Sequence, residues 1–519
     1  MPKHVRKRSH AGLAAVLLAA ALLSGCTSSA GGGPGSGPGS GPRDKPNFVF
    51  LLTDDLDTSA TAYMPNLKAL LTDQGTTLSR YYVSLAWCCP SRASTLRGQY
   101  AHNTGVWTNT APNGGFFMFH QLGRERSTLA TWLRGAGYRT GLFGKYLNGY
   151  PEQAPVKKTY VPPGWTTWVS PAAGYPYSQF DYTLNENGRL THEKPSNATY
   201  LTDVLTRKAD GFLAAKDTRP FLAYIAPYNP HIPATPAPRH RKLFAGVRAP
   251  RPPSYDEPDM AGKPAELQRL PPITGREARE WDALYRKRLQ SMQSVDDMIG
   301  DLVQTLKDSG RLANTYFIFT SDNGFHIGQH RLAPGKNTAY EEDIRVPFVI
   351  RGPGIPAGRT VDALASNIDL GPMLADLAGA KTPEFADGRS LRPILTGGPP
   401  PKNWRQVLLL EHAKARGTHP IGPRTTVDGT LEPPEMVRAG VRTKAYLAPF
   451  VALRTRRYLY VEYETGEREM YDVVADPYEL HDIAAGNPLL TGLSDRLRRL
   501  RECAGESCRA AEDGSEPAW

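Results

Sequence analysis

The stretch Trp87–Tyr100, WCCPSRASTLRGQY, sets two cysteines, a proline, a serine and an arginine in five consecutive positions. Pro90 suits the first turn of a helix, where its missing N–H costs nothing. A helix starting there would point its positive dipole end, with free backbone N–H groups, at an anion. Arg92 adds a cation to the same place. Neighbouring cysteines are a strained disulfide pair, so Cys88 and Cys89 read as thiols kept for chemistry. Two further pairs could work with them. Asp54-Asp55 and Asp322-Asn323 each close an apolar run, FVFLL before the first and TYFIFTS before the second. Three carboxylates and an amide oxygen form an all-oxygen set suited to a hard divalent cation such as calcium or magnesium. Either pair alone could equally be a solvated loop or a helix cap. A nucleophile at position 88 would face an anion held by metal, arginine and dipole.

Positioning such groups requires elements that deliver them to one place. PNFVFLLTDD, TGLFGKYLN, PFLAYIAPYNPHIP and TYFIFTSDN each read as a buried strand running into a polar loop. Between them, MPNLKALLTDQG, STLATWLRGAG and REAREWDALYRKRLQSMQSVDDMIGDLVQTLKDSG read as helices stopped by glycine. IRVPFVIRGPG adds a strand and VDALASNIDLGPMLADLAG a helix. This alternation predicts an α/β layered sheet with its working groups at strand ends. Residues 151–198 and 233–275, rich in Pro, Gly and Tyr, read as loops or insertions over the sheet edge. Beyond SLRPILTGGPPPKNW, the segment YLAPFVALRTRRYLYVEYETGEREMYDV alternates like antiparallel strands with ETGE as a turn, and LSDRLRRLREC closes it with a helix. There is no internal repeat. The organisation is a catalytic domain over 46–397 and a smaller α+β domain over 398–519.

The amino terminus reads as an export signal. MPKHVRKRSH is basic, and Ala11 to Leu23 is apolar but short for a membrane span. LSGC then resembles a bacterial lipobox with Cys26 as the lipidated residue, and a Gly/Ser/Pro tether follows. The expected parts are a signal over 1–25 and a tether over 26–45. The place is the outer face of the bacterial cell membrane, through a lipid anchor only, or secreted. Export permits a disulfide between Cys503 and Cys508. The net charge of +11 favours anionic partners, and no helix-turn-helix, zinc spacing or aromatic-basic interleaving points to nucleic acid.

The pattern Cys88-Cys89-Pro90-Ser91-Arg92, followed by Leu96 and Gly98, resembles the type I sulfatase signature. With LLTDDLD, GKYLN, APYNPHIP, TSDNGFHIGQH and APGKNTAYEEDIRVPFVIRGPG, the chain is most similar to the N-acetylglucosamine-6-sulfatase branch. The resemblance implies an alkaline-phosphatase-like sulfatase fold, a large mixed sheet flanked by helices, with a smaller C-terminal antiparallel sheet. It implies that a separate formylglycine-generating enzyme converts Cys88 to formylglycine, while Cys89 stays a small buried thiol. It implies metal ligation by Asp54, Asp55, Asp322, Asn323 and the modified Cys88. Arg92, Lys145 and Lys336 would hold the sulfate oxygens, and His231 would protonate the leaving alcohol. His326, His102 and Asn148 are placed as substrate contacts. Leu147 stands where many sulfatases have histidine, and Asn148 is the candidate to replace that hydrogen bond. The implied substrate is a sulfated carbohydrate of the glucosamine 6-sulfate type or an aryl sulfate. The rivals are a broad arylsulfatase, a phosphonate monoester hydrolase, and a noncatalytic glycan-binding surface lipoprotein.

Overall fold

The computed structural model describes residues 45–413 and 447–513; the signal, the Gly/Ser/Pro tether up to residue 44 and Cys26 lie outside the described residues. A ten-stranded mixed sheet dominates. Its middle is a parallel run of four strands, Thr315–Ser321, Asn47–Thr53, Phe221–Ala226 and Arg139–Gly144. These strands are entirely buried, as continuous apolar runs require when both faces are covered. Phe48, Phe50 and Leu52 enter the core on one face, and Val49 and Leu51 the core on the other. Burying each such side chain stabilises the fold by about 1.5–3 kcal/mol.

Helices supply the two outer layers. Cys88–Arg97, Leu129–Gly135 and Leu370–Ala378 pack into the first core. Leu201–Leu213 and the long helix Gly275–Asp308 pack into the second. The long helix begins at a capping box: Thr274 accepts from the Glu277 N–H, and the Glu277 carboxylate accepts from the Thr274 N–H.

Residues 151–198 depart from the loop reading. They contribute the strands Thr167–Gly174, Tyr182–Glu186 and Arg189–Glu193, which extend one edge of the sheet. Pro171 is tolerated because the ladder shifts register between Pro171 and Ala173. The segment 233–275 is irregular apart from the short helical turns Pro238–His240 and Ala265–Gln268. The C-terminal segment forms the expected small antiparallel sheet, Val407–His412, Phe450–Thr455, Tyr458–Tyr463 and Arg468–Asp472. Leu490–Arg501 packs on it through Leu493, Leu497 and Leu500. Cys503 and Cys508 are disulfide-bonded, Cα–Cα 4.8 Å.

Candidate active site

Strand register decides which loops meet. Thr53 pairs with Ser321, so Asp54-Asp55 and Asp322-Asn323 leave neighbouring strands side by side. Gly144 pairs with Ala226, which sets Lys145 beside the loop that carries His231. All four loops leave the carboxyl ends of parallel strands, where α/β sheets place their ligand sites.

The helix Cys88–Arg97 is buried along its whole length and aims its first residue at these loops. Cys88 Sγ lies 3.4 Å from Asp54 Oδ1 and 3.7 Å from Asp55 Oδ1. Lys336 Nζ reaches Cys88 Sγ at 2.7 Å and Asp55 Oδ1 at 2.5 Å. Lys145 Nζ donates to Asp54 Oδ2 at 2.7 Å. His231 Nε2 is 3.6 Å from Asp55 Oδ2, and its Nδ1 engages the Ile232 carbonyl at 2.7 Å. Ligand atoms of Asp54, Asp55, Cys88 and His231 therefore lie within 4.8 Å of one another.

Asn323 completes the cluster. Its Nδ2 donates to Asp55 Oδ1 at 2.7 Å, while its Oδ1 is buried with no hydrogen-bond partner among the described residues. A buried acceptor left unpaired beside carboxylates is the arrangement a hard cation satisfies. The donor set of Asp54, Asp55, Asp322, Asn323 and the group at position 88 fits one divalent ion. Asp322 lies in the same cluster, and each of its oxygens carries one protein contact that leaves a lone pair over: Oδ1 accepts from the Asp55 N–H at 3.1 Å and Oδ2 from Arg92 Nε at 2.7 Å.

Electrostatics follow from burial and these pairings. Burial would raise the Asp55 carboxyl, but Lys336, His231 and Lys145 overcome it and hold Asp55 well below the usual carboxylate range. Burial pushes the Cys88 thiol well up; Lys145 and Lys336 oppose this, and Asp54 and Asp322 add to it. As a cysteine, this residue is a poor nucleophile. Burial lowers His231 to about 4 against the pull of Asp55, with Lys336 and Lys145 helping, so the resting ring is neutral.

The family model for sulfatases matches residues 46–380. This chain belongs to the sulfatase family. It is 37% identical to the human N-acetylglucosamine-6-sulfatase over 90% of this chain and 86% of that one. It is 33% identical to an arylsulfatase of Volvox carteri over 89% of this chain and 75% of that one. A solved structure of an enzyme in complex with its substrate D-glucosamine-2-N,6-O-disulfate superposes with a TM-score of 0.70 at 23% identity, covering 91% of this chain and 99% of that one. That likeness establishes the alkaline-phosphatase-like sulfatase fold.

The other residues singled out in the sequence take varied places in this sulfatase. Arg92 is fully buried and grips Asp322 and the Lys145 carbonyl, 3.2 Å away, while its Nη2, 3.8 Å from Asp54 Oδ1, has no hydrogen-bond partner among the described residues and is left for an anion. The Cys89 N–H is taken by Asn109 Oδ1 at 2.8 Å, so the helix start gives up one of its expected anion donors. Cys89 is, as the sequence reading has it, a buried thiol in the first core and outside any disulfide. His102 is not brought to the cluster: Nδ1 binds Glu411 and Nε2 the Cys503 carbonyl, each at 2.9 Å. His326 holds Asp343 through Nδ1 at 2.9 Å and trades backbone hydrogen bonds with Gly335. It thereby fixes the loop that presents Lys336. Asn148 is buried, and its carbonyl accepts from the Phe116 N–H at 2.7 Å.

Sequence reasoning missed Tyr177 and Arg288. Tyr177 packs 4.6 Å from the His231 ring, with Lys145 Nζ 5.1 Å from its own ring centre, and makes an aromatic wall. Arg288, buried on the long helix, donates to the Asp55 carbonyl and, at 3.3 Å, to the Pro230 carbonyl. Its guanidinium lies 4.0 Å over Phe325. It therefore ties the Asp55 backbone, held at φ 65°, to the His231 loop. Arg288→Met is expected to lower kcat by about 10²-fold, the cost of misplacing reacting groups by roughly 1 Å. Steady-state kinetics beside a thermal melt checks this; an unchanged kcat in folded protein removes Arg288 from the positioning frame.

Proposed function

We propose that this sulfatase removes sulfate from a glucosamine 6-sulfate type sugar, using formylglycine made from Cys88 and one divalent cation, calcium ahead of magnesium. The observation that carries this is the placement of Cys88 against both strand-end aspartates and Lys336, in surroundings that disfavour the thiolate. The N-acetylglucosamine-6-sulfatase relatives support the sugar class.

A hydrated formylglycine supplies two hydroxyls, one to attack sulfur and one whose loss of a proton lets sulfate depart. The cation, which Asp54, Asp55, Asp322 and Asn323 would hold with position 88, would polarise a sulfate oxygen. The chain's own groups do the rest. Lys145 and Lys336 bring positive charge to the sulfate oxygens as negative charge grows on them. Arg92 holds Asp322 and offers its unpartnered Nη2 to the sulfate, and Arg288 keeps Asp55 in place. His231, its Nδ1–H held by the Ile232 carbonyl, would act in its protonated form, which Asp55 and the negative sulfate ester favour: Nε2–H gives its proton to the leaving oxygen and the ring returns to neutral. Tyr177 walls this side and excludes water from it.

Maturation requires a formylglycine-generating enzyme, and the working place is outside the cell, through a lipid on Cys26 or by secretion. The catalytic part is 46–397, with 398–519 as the smaller domain.

Mass spectrometry of the tryptic peptide Tyr81 to Arg92, from protein made in a host with the maturation enzyme, tests the reading. Formylglycine at 88, with release of sulfate from glucosamine 6-sulfate faster than turnover of an aryl phosphonate, is the expected result. An unmodified thiol in protein that binds sulfated glycan without hydrolysing it would instead support a binding lipoprotein.

A further inference from the structure

A second buried cluster draws two of its side chains from the segment that also carries Lys336, and those side chains take no part in the chemistry above. A ring nitrogen of His330 and carboxylate oxygens of Glu342 and Glu479 lie within 4.8 Å of one another. Three separate segments bring them together with their supports: the loop and short helix 326–344, the irregular insertion at 254–263, and the C-terminal segment at 479. His330 and Glu479 are 0% and 1% exposed, and Glu342 is half-buried, leaving a route for solvent.

The hydrogen bonds around the cluster leave specific atoms over. His330 Nδ1 engages Glu257 Oε2 at 2.7 Å. With Glu257 ionised, as Lys263 beside it favours, the proton sits on Nδ1 and the lone pair on Nε2, the way a carboxylate orients a metal-bound imidazole from behind. Nε2 is buried and has no hydrogen-bond partner among the described residues. The same holds for Glu479 Oε1; its Oε2 accepts from the Glu341 N–H at 3.1 Å. Glu342 Oε1 has a long contact to Ser254 Oγ, 3.5 Å. Lys263 approaches Glu257 at 3.9 Å, but its Nζ also serves Tyr471 and the Glu479 carbonyl. A buried lone pair and a buried carboxylate oxygen, both unpaired and converging with a third acid, are costly unless a proton or a cation joins them, and three converging donors suit the cation. His330 and Glu479 also hold left-handed backbones, φ 51° and 54°, a strain that persists where surrounding structure imposes it.

We propose that His330 Nε2, Glu342 and Glu479 form a second metal site for a divalent ion of the zinc class, separate from the Cys88 centre. One imidazole and two carboxylates suit zinc better than calcium, which takes six to eight oxygen ligands. Glu257 is the carboxylate behind the histidine. The ion staples the insertion and the C-terminal segment to the loop that ends at Asp343, whose carboxylate holds His326 and Thr338 on either side of Lys336.

The test uses the full chain, stripped by chelator and refilled with excess Ca2+, then dialysed against micromolar Zn2+. Wild type should retain zinc in equimolar amount and melt at a higher temperature than its zinc-free form. His330→Gln and the half-buried Glu342→Gln should lose both the zinc and the shift. Should His330→Gln fail to fold, Glu342→Gln and zinc-edge anomalous diffraction from wild-type crystals decide. An anomalous peak between His330 and Glu479 is expected. Zinc retention equal in wild type and Glu342→Gln, a peak at Asp54 and Asp55 alone, or no zinc in wild type overturns the proposal.

Discussion

Cys88→Ser is expected to end turnover while leaving the fold intact. The side chain is fully buried between Asp54, Asp55 and Lys336, so a serine hydroxyl occupies nearly the same point with slightly less volume. It can attack sulfur: a serine O–S bond forms, the ester S–O bond breaks, and the alcohol leaves with a proton. What remains is a sulfate ester of serine. It has no second hydroxyl on the same carbon, so no proton loss can expel the sulfate. Multiple turnover should fall by at least about 10³-fold, about 4 kcal/mol of barrier. The readout is intact-protein mass after incubation with substrate, alongside near-UV circular dichroism. A native spectrum with one added sulfo group on the variant supports the double-hydroxyl requirement. Continued turnover at the wild-type rate by the serine variant would falsify the formylglycine reading.

The strand ends were legible because central parallel strands announce themselves. FVFLL, FLAYIA and TYFIFTS are unbroken apolar runs followed at once by polar groups, and a chain buries such a run whole only in a covered sheet. Register is a different matter. Nothing in FVFLLTDD says that Thr53 lies opposite Ser321; side-chain packing on both faces decides that, and it is what joins the two acidic pairs. Residues 151–198 were hidden by Pro171 and by glycines that resemble loop chemistry. Trp168, Tyr182 and Leu184 nevertheless bury completely at the sheet edge. His102 was misplaced because a histidine near a nucleophile motif carries no direction; the C-terminal Glu411, distant in sequence, claims it. Arg288 did leave a signal. It follows Tyr285 by three and precedes Met292 by four, on the buried stripe of a long helix, and an arginine on such a stripe must have acceptors waiting. Tyr177, on a short turn between two edge strands, left none.

Lys336→Ala carries the second large effect, and it separates catalysis from stability. Lys336 Nζ touches both the nucleophile position and Asp55, and its loop is fixed by the His326–Gly335 bridge and by Asp343. Loss of a fixed positive group beside developing charge should lower kcat by about 10²–10³-fold, with KM changing far less. Lys336→Arg should not restore the rate, because a planar fork cannot replace a compact ammonium between a carboxylate and the group at position 88. The same substitution alters Asp55. Its folded pKa is depressed, so its contribution to stability is present above the unfolded value, about 3.9, and is lost as pH falls through the folded value. Without Lys336 the largest opposing charge is gone and burial pushes Asp55 back up. The contribution above the unfolded value then shrinks, and acid unfolding of chelator-treated protein should begin at higher pH than in wild type. An acid titration followed by circular dichroism, beside the kinetics, reads both effects. A variant with reduced kcat and an unmoved acid midpoint would mean that Lys336 acts on the substrate alone and that its contact with Asp55 contributes nothing to the fold.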